Sequence, residues 1–332
     1  MDQYLLSIII PCYNSFSLME PAFKCLEIAQ TLPVEAVFVD DCSTDETYEK
    51  LCEYCKSFKG NAKVVRNEKN QGPGLSRNHG IKEANGKYIM FLDSDDYFEK
   101  NFYDVVLPIL EQDPDCVSFD YGEVFHNGKI NYHSIYYATL PEGSIDPKKN
   151  AVFIRGATCG KIYKRSIILI NNVQFLELKR NEDMPFTKVA ASYCRKIYYT
   201  KQTHYMYYQH EQSLMHNSKL LDPMNTIKAF TAVHDNFNNG FQSEIEAIFV
   251  LECFYSTALI NAERMGRKEW ICYISNLEEM FPGFSDNKYI KDYSKSVQVV
   301  VMLAKRKMYF SVKSLYLLRN MIKSLKLRIN RK

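Results

Sequence analysis

The sequence has no apolar run long enough to cross a bilayer and no start typical of a secretory leader. Its longest apolar stretch, Ala247–Ile260, is broken by Glu252 and falls short of the roughly 20 residues that a spanning helix needs. The chain begins with an acid at Asp2, and the apolar run Leu5–Ile10 is too short for the hydrophobic part of a signal peptide. We therefore expect a cytoplasmic protein that is either soluble or lies on a membrane surface.

Disulfide frameworks and zinc sites are also missing from the pattern of the ten cysteines. Cys52 and Cys55 have CxxC spacing, but neither a second pair nor a histidine cluster accompanies them at zinc-like spacing. Two thiols on one face of a helix explain this pair best. A chain of 332 residues buries a sizeable core without cross-links, so a reducing compartment fits the composition.

Acidic residues are absent from Ser294 to the C-terminus, a segment that holds eleven basic residues. Residues 1–293 contain the remaining 31 basic residues against 39 acidic ones, so an acidic body precedes a basic tail. Apolar residues are interleaved with lysines and arginines in 295–332, as in a helix on an anionic inner-membrane surface. The alternative is a helix packed on the body with its lysines in solvent. No nucleic-acid-binding motif accompanies the charge, so we expect no nucleic-acid partner.

The N-terminal half alternates short apolar runs with amphipathic stretches, which predicts an α/β fold with a mostly parallel sheet. The predicted strands are Leu6–Pro11, Ala36–Val39, Lys63–Arg66 and Tyr88–Leu92, and the predicted helices are Ser17–Thr31, Asp45–Phe58 and Leu75–Ala84. We expect Ser43 or Thr44 to cap the second helix. From about residue 220 the pattern is helical, with Ile245–Asn261 and the basic Val297–Leu327 as the longest stretches. We therefore predict a catalytic domain over 1–215 and a helical C-terminal region over 216–332.

Polar residues follow each of the four predicted strands. They are Tyr13-Asn14, Asp40-Asp41, Asn67 and Asp93-Ser94-Asp95-Asp96. Because ligands of open α/β sheets bind beyond the carboxyl ends of the strands, we expect these residues to meet at one edge. Three carboxylates within four residues repel one another, and hard oxygen ligands select Mg²⁺ or Mn²⁺. A solvated acidic turn is the alternative for the last cluster.

Two further segments contain side chains suited to a nucleotide. A carboxylate at Asp40 or Asp41 can accept a hydrogen bond from a uracil or guanine N–H, or from ribose hydroxyls. The Gly-rich segment Asn70–Asn78 matches neither a Walker loop nor a GxGxxG fingerprint, because Arg77 stands where the third glycine belongs. Arg77 can clamp a phosphate through two nitrogens, or it can be an ordinary surface arginine.

Together these segments resemble the family 2 glycosyltransferases, which have the Rossmann-like GT-A fold. The matching stretches, within residues 5–215, are Ser7–Asn14, Val39–Asp45, Asn70–Gly80 and Ala84–Asp96. The resemblance implies a nucleotide-diphosphate sugar as donor, with UDP-sugar favoured, a divalent Mn²⁺ or Mg²⁺ ion, and inversion at the anomeric carbon. It assigns the nucleotide sugar to Pro11, Tyr13, Asn14, Asp40, Asp41, Asn67, Arg77, Asp93 and Ser94. It makes Asp95 the main metal ligand, beside Asp93.

The resemblance also implies a general base in an acidic pair that opens a helix. Glu182-Asp183 fits this pattern, with Asp183 as the base and Glu182 as its neighbour, although the helix dipole alone also favours acids there. Lys161, in Gly160–Tyr163, is expected either to meet the sugar or phosphate or to be a surface lysine. His210 is a candidate donor to the diphosphate or metal ligand, or it is structural.

We therefore predict a metal-dependent, inverting glycosyltransferase that adds a single sugar to a hydroxyl of a glycan or lipid-linked acceptor in cell-surface polysaccharide synthesis. The sequence lacks the Gln-x-x-Arg-Trp motif of processive synthases. One alternative is a sugar nucleotidyltransferase, which would need a basic Gly-rich loop where Cys12–Ser15 stands. Another is a catalytically silent carbohydrate- or membrane-binding module, against which the presence of both Asp95 and Asp183 argues.

Overall fold

The computed structural model describes residues 3–178, 181–209 and 223–330. The chain divides into two compact units, residues 1–218 and 219–332. This boundary and the predicted one after residue 215 both lie in the stretch 210–222, outside the described residues.

The described part of the first unit contains a ten-stranded mixed sheet with helices on its faces. Its strands are β1 (Tyr4–Cys12), β2 (Val34–Asp40), β3 (Asn61–Arg66), β4 (Gly86–Phe91), β5 (Tyr97–Phe98), β6 (Cys116–Val124), β7 (Ile130–His133), β8 (Gly143–Ile145), β9 (Lys161–Lys164) and β10 (Ile197–Tyr208). The order is β3-β2-β1-β4-β9-β6-β10-β5, with β7 beside β6 and β8 beside β10. Strands β1–β4 are mutually parallel, β6 and β10 are parallel, and β9 runs antiparallel to β4 and β6. The predicted α/β fold is confirmed.

Helices of the first unit cover the sheet. Strands β1 and β2 are therefore buried over almost their whole length. The helices are α1 (Glu20–Ile28), α2 (Thr47–Ser57), α3 (Pro73–Glu83), α4 (Phe102–Glu111), α5 (Pro147–Phe153), α6 (Arg165–Ile170) and α7 (Asp183–Tyr193). Helix α3 lies very close to the sheet. A Cβ atom on Gly80 would stand 2.3 Å from Ile9 Cγ2 and 3.2 Å from Val39 Cγ2, so this contact requires glycine.

The predicted cap of the second helix is wrong. Ser43 Oγ accepts a hydrogen bond from the Asn14 backbone N–H at 3.0 Å, and Thr44 Oγ1 accepts one from Asn14 Nδ2 at 3.1 Å. Asp45 instead accepts the Thr47 N–H at 2.9 Å at the start of α2. The two hydroxyl groups therefore connect the loops that follow β1 and β2, and they do not cap α2.

The second unit is helical where it is described, as predicted. Its helices are α8 (Pro223–Asn236), α9 (Gln242–Ile248), a π-helical segment (Phe249–Tyr255), α10 (Ser256–Arg264), α11 (Arg267–Met280), α12 (Lys295–Lys305) and α13 (Tyr309–Asn330). The continuous helix Gln242–Arg264 is long and apolar enough to cross a membrane by length and composition, but 72% of its apolar window is buried inside the protein. That burial is typical of a core helix.

The basic stretch Val297–Leu327 was predicted as one helix, and this is wrong. Helices α12 and α13 are separated at Arg306–Met308, where Lys307 adopts a left-handed backbone with φ 55°. Val297, Val300, Val301 and Ala304 of α12 are buried, as are Tyr309 and Val312 of α13. One face of α13 remains exposed, with Phe310 67%, Leu317 49% and Met321 56% accessible. The tail therefore buries one of its faces within the protein and exposes apolar side chains to solvent on another.

Candidate active site

Loops that follow the parallel strands meet at the carboxyl edge of the sheet. The Asn14 loop after β1 bonds the Ser43-Thr44 loop after β2, and Asn14 Oδ1 accepts the Thr44 N–H at 2.8 Å. Asn67, after β3, donates from Nδ2 to Asp41 Oδ1 at 2.8 Å. Asn14 has φ 49°, a conformation that asparagine tolerates better than most residues. The expected convergence of these loops is observed.

Asp40 is the buried carboxylate at the end of β2. Its Oδ2 accepts the Ser43 N–H at 3.2 Å and lies 3.1 Å from Arg66 Nε. Its Oδ1 is buried without a hydrogen-bond partner among the described residues. Pro11 is buried at the end of β1, whereas Tyr13 is 46% exposed just beyond it. A buried acceptor without a donor is a place where a ligand N–H or O–H fits.

Asp41 and Asn67, predicted as nucleotide ligands, contact the protein itself. Asp41 accepts the backbone N–H groups of Gln71 at 3.0 Å and Gly72 at 2.7 Å, besides the Asn67 amide. Asn67 Nδ2 also donates to Ser76 Oγ, and its Oδ1 bonds His79 Nδ1 at 2.7 Å. These two residues therefore fix the Gly-rich loop that leads into α3.

Arg77 contacts three acids and was predicted to contact a phosphate. Its Nη1 donates to Asp183 Oδ1 at 2.8 Å, and its Nη2 donates to Asp93 Oδ1 at 2.6 Å. Glu182 Oε1 lies 3.8 Å from Nη1. Burial alone would lower the pKa of Arg77, but Asp183, Asp93 and Glu182 outweigh it and raise that pKa. The buried guanidinium thus neutralises an acidic cluster drawn from two distant segments of the chain.

The acidic pair stands at the start of α7, as its sequence predicts. Asp183 Oδ2 accepts the Thr158 backbone N–H at 3.4 Å and the Thr158 hydroxyl at 3.3 Å. Burial raises the pKa of Asp183 against the opposing effect of Arg77. Burial and the charge of Asp183 raise the pKa of Glu182 to about 7. A partly exposed carboxylate with a raised pKa is suited to take a proton from a hydroxyl group.

The turn after β4 uses its three carboxylates differently. Asp96 is buried and accepts the Tyr205 hydroxyl at 2.7 Å and the Tyr208 N–H at 2.9 Å, while burial raises its pKa. Asp93 and Asp95 remain partly exposed, with Ser94 between them. Asp96 therefore fastens the turn to β10, and the two exposed carboxylates supply oxygen atoms of the type that Mg²⁺ and Mn²⁺ prefer.

The described residues contain no preformed group of three or more His, Cys, Asp or Glu side chains arranged around a metal. His210, the third predicted ligand, lies outside the described residues. Asp93 is engaged by Arg77, so its carboxylate is shared between a cation of the protein and any ion that binds at the turn.

The structure contradicts one of the two predicted environments of Lys161, the surface position, and its contact with sugar or phosphate stays a prediction. Its side chain is fully buried, and its Nζ donates to the carbonyl oxygens of Ala157 at 2.5 Å and Cys159 at 3.1 Å. A surface position is therefore wrong, and its described contacts are with main chain at the edge of the acidic site.

Three residues at the site escaped the sequence reasoning. Thr158 binds the carboxylate of Asp183, and Tyr205 Oη accepts the backbone N–H of Asp93 at 3.1 Å. Asn78 makes two hydrogen bonds to the backbone of Phe175, of 2.8 and 2.9 Å, which hold the segment before the acidic pair. Asn78 stood in the Gly-rich segment already singled out, whereas no local signal distinguishes Thr158 or Tyr205.

Comparison with known proteins identifies related sequences. Residues 7–169 match the model of glycosyl transferase family 2. EpsH of Bacillus subtilis, named as a glycosyltransferase, is 27% identical over 76% of each chain. The poly(ribitol-phosphate) beta-N-acetylglucosaminyltransferase TarS of Staphylococcus aureus is 33% identical over 60% of this chain. The match covers 35% of TarS, about a third of that protein's length.

Solved structures share the fold. TarS 1–349 of S. aureus in complex with UDP superposes with a TM-score of 0.70 at 24% identity, over 94% of this chain and 91% of the other. A mannosyltransferase from Pyrobaculum calidifontis, in complex with GDP-Man and Mn²⁺, gives a TM-score of 0.55 at 13% identity, over 93% and 86% of the chains. Residues 7–169 therefore form a glycosyltransferase domain of family 2, and the solved structures show that the chain has a GT-A fold.

Proposed function

We propose that the protein is an inverting transferase that moves one sugar from a UDP-sugar to a hydroxyl of a glycan or lipid-linked acceptor in cell-surface polysaccharide synthesis. The observation that carries this proposal is the position of Asp183. Its carboxylate is partly exposed at the start of α7 and tied through Arg77 to Asp93 of the turn after β4. Base and donor-side acid are thus held by one buried cation.

Asp183 serves as the general base in this proposal. Its raised pKa strengthens the carboxylate as a proton acceptor, while Arg77 and Thr158 keep it oriented. Removal of the acceptor's proton makes its oxygen the nucleophile that attacks the anomeric carbon from the face opposite the leaving diphosphate. A positioned base contributes about 10²–10⁴-fold to the rate.

Recognition of the nucleotide falls to Asp40 and Tyr13. The buried Oδ1 of Asp40, which has no hydrogen-bond partner among the described residues, can accept the N3–H of uracil, and the exposed ring of Tyr13 can stack on the base. The structure of TarS in complex with UDP-GlcNAc, 24% identical to this chain, supports a UDP-sugar as donor. Acceptors of the poly(ribitol-phosphate) type, named in TarS and its Bacillus spizizenii relative, are candidates for this chain.

The oxygen donors present fit a divalent Mn²⁺ or Mg²⁺ ion. Asp95 and Asp93 would hold it, and it would supply charge neutralisation of the leaving diphosphate. The chain's own contribution at this point is Asp96, which pins the turn through Tyr205 and Tyr208 and so fixes the two exposed carboxylates.

We further propose a cytoplasmic enzyme that binds the anionic face of the inner membrane through its tail. The exposed face of α13 contains Phe310, Leu317 and Met321, which repeat at helical spacing. The tail from residue 294 onward has eleven basic residues and no acid, which complements anionic headgroups.

Sugar transfer and hydrolysis of a panel of nucleotide sugars test the proposed reaction. We expect turnover of a UDP-sugar, an about 10²–10⁴-fold lower kcat for Asp183→Asn, and unchanged donor affinity in that variant. Asp40→Asn should weaken UDP binding about tenfold or more, while Asp45→Asn, at an exposed residue that accepts the Thr47 N–H, serves as the control. Equal turnover by wild type and Asp183→Asn would contradict the assignment of the base.

A further inference from the structure

Lys161 is a buried lysine whose ammonium group donates hydrogen bonds to main-chain carbonyl oxygens. Its ammonium binds the carbonyl oxygens of Ala157 and Cys159, and burial lowers its pKa to about 8. Burial of an ammonium group opposes folding unless its hydrogen bonds compensate. A methionine would fill a similar volume without this cost, but it has no hydrogen to donate.

The two carbonyls that Lys161 binds flank Thr158 in the chain. Thr158 is itself buried, and its backbone N–H and its hydroxyl both donate to Oδ2 of Asp183. Thr187 of α7 donates to the same Ala157 carbonyl at 3.4 Å. Lys161 thus binds the turn 157–159 through two of its carbonyl oxygens. The same turn directs the N–H and the hydroxyl group of Thr158 toward the carboxylate of the proposed base.

We propose that Lys161 is a positioning residue for Asp183, acting through the turn 157–159. Its ammonium fixes the direction of the Thr158 N–H and hydroxyl, and these orient the carboxylate toward the acceptor hydroxyl. The kinetic part of this inference rests on the proposed function, in which Asp183 is the base. Lys161 therefore acts on the proton-transfer step and leaves donor binding alone.

Lys188 offers a matched control within the same unit. It is also fully buried, and its Nζ donates to two main-chain carbonyls, of Val152 at 2.9 Å and Ile154 at 2.6 Å. Those carbonyls lie four or more residues before Thr158. Lys161→Met and Lys188→Met each remove two hydrogen bonds from a buried ammonium to main-chain carbonyls, and the carbonyls that Lys161 binds are the ones that flank Thr158.

The first experiment measures kcat and KM of folded Lys161→Met, Lys188→Met, Thr158→Val and the double variant Lys161→Met/Thr158→Val. We expect kcat of Lys161→Met to fall about 10- to 100-fold with donor KM within twofold, part of the effect that a positioned base provides. Lys188→Met should keep kcat within about twofold. The double variant should be little worse than the more impaired single variant, because both act through one contact.

A rise in donor KM at unchanged kcat in Lys161→Met would overturn the proposal, since it would place Lys161 on the substrate. Amide hydrogen exchange supplies a readout that needs no turnover. The peptide containing Thr158 should exchange at least tenfold faster in Lys161→Met than in wild type or Lys188→Met. Unchanged exchange overturns the inference even if every donor tested is inert, an outcome that would separately refute the proposed function.

Discussion

Nη1 of Arg77 lies 2.8 Å from Oδ1 of Asp183, although the two residues are 106 positions apart in the sequence. The same guanidinium donates to Asp93 at 2.6 Å. Helix α3 thus supplies a buried cation that joins the proposed base on α7 to the acidic turn after β4. The charge balance of the site therefore depends on Arg77, which contacts both Asp183 and Asp93.

Loss of the Arg77 charge should destabilise the protein and shift its pH profile. Arg77→Gln leaves three partly exposed carboxylates without their counter-charge, so we expect a loss of about 1–3 kcal/mol in the free energy of unfolding. Arg77 opposes the rise in the pKa of Asp183, so its removal moves the acid limb of the kcat/KM profile to higher pH. Urea unfolding and pH–rate profiles measure the two effects. Arg77→Lys keeps the charge but cannot bridge two acids, so wild-type behaviour in that variant would contradict the bridging role.

Glu182 should make stability fall as pH rises. The pKa of Glu182 is raised from 4.5 to about 7 in the folded protein, so its charged form is disfavoured there. The native state therefore binds the proton more tightly than the unfolded chain, and the cost is absent below pH 4.5 and complete above pH 7. Relative to wild type, Glu182→Gln should be more stable by up to about 3 kcal/mol at pH 8 and little changed at pH 4.5. Exposed Glu177→Gln serves as the control, with changes within about 0.5 kcal/mol at both pH values.

Asp41 should matter for the stability of the Gly-rich loop. Asp41→Ala removes an acceptor of hydrogen bonds from Gln71, Gly72 and Asn67, and we expect a loss of about 2–4 kcal/mol in unfolding free energy. Asp45→Ala, which removes one local hydrogen bond from the Thr47 N–H, should lose only about 1 kcal/mol. Chemical denaturation of both variants makes the comparison, and equal losses would argue against the loop-anchoring role.

Metal binding at the turn after β4 predicts a thermal shift. Mn²⁺ with UDP should raise the melting temperature of the wild type through binding to the native state, and Asp95→Ala should abolish that rise. Asp104→Ala, an exposed acid on α4, should keep it. A rise that persists in Asp95→Ala would remove Asp95 from the proposed ligands.

The tail should bind anionic vesicles in a salt-dependent manner. Replacement of Phe310, Leu317 and Met321 together by serine should reduce cosedimentation with phosphatidylglycerol-containing vesicles at least tenfold. Ile170→Ser, at an 81% exposed apolar residue of the first unit, is the control and should bind like wild type. Equal binding to neutral phosphatidylcholine vesicles would contradict the electrostatic component.

Local patterns sufficed for strands β1 to β4 and for the edge of the sheet where the loops gather. Strands β1, β2 and β4 are near-continuous buried apolar runs, and each was predicted within two residues of its observed ends. The acidic pair Glu182-Asp183 was recognisable because it precedes a helix. These features depend on short stretches of sequence.

Long-range partners were beyond sequence reasoning. Arg77 was expected to contact a phosphate, because nothing near it in the chain announces that acids more than 100 residues later surround it. Lys161 was expected to contact sugar or solvent, because burial of a lysine depends on the carbonyls that the folded chain brings to it. The break at Lys307 was missed since a lysine is an ordinary helix residue and gives no stop signal.

The close contact between Gly80 and Ile9 affects the proposed active site, although Gly80 has no side chain of its own. Gly80 follows Arg77 by one helical turn, so the depth at which the helix rests sets how far the arginine reaches. Even a single added methyl there would push the helix outward and draw the guanidinium away from the acids it neutralises. Alanine at this position should therefore behave as an activity-impairing change, although it lies a full turn from any reacting group.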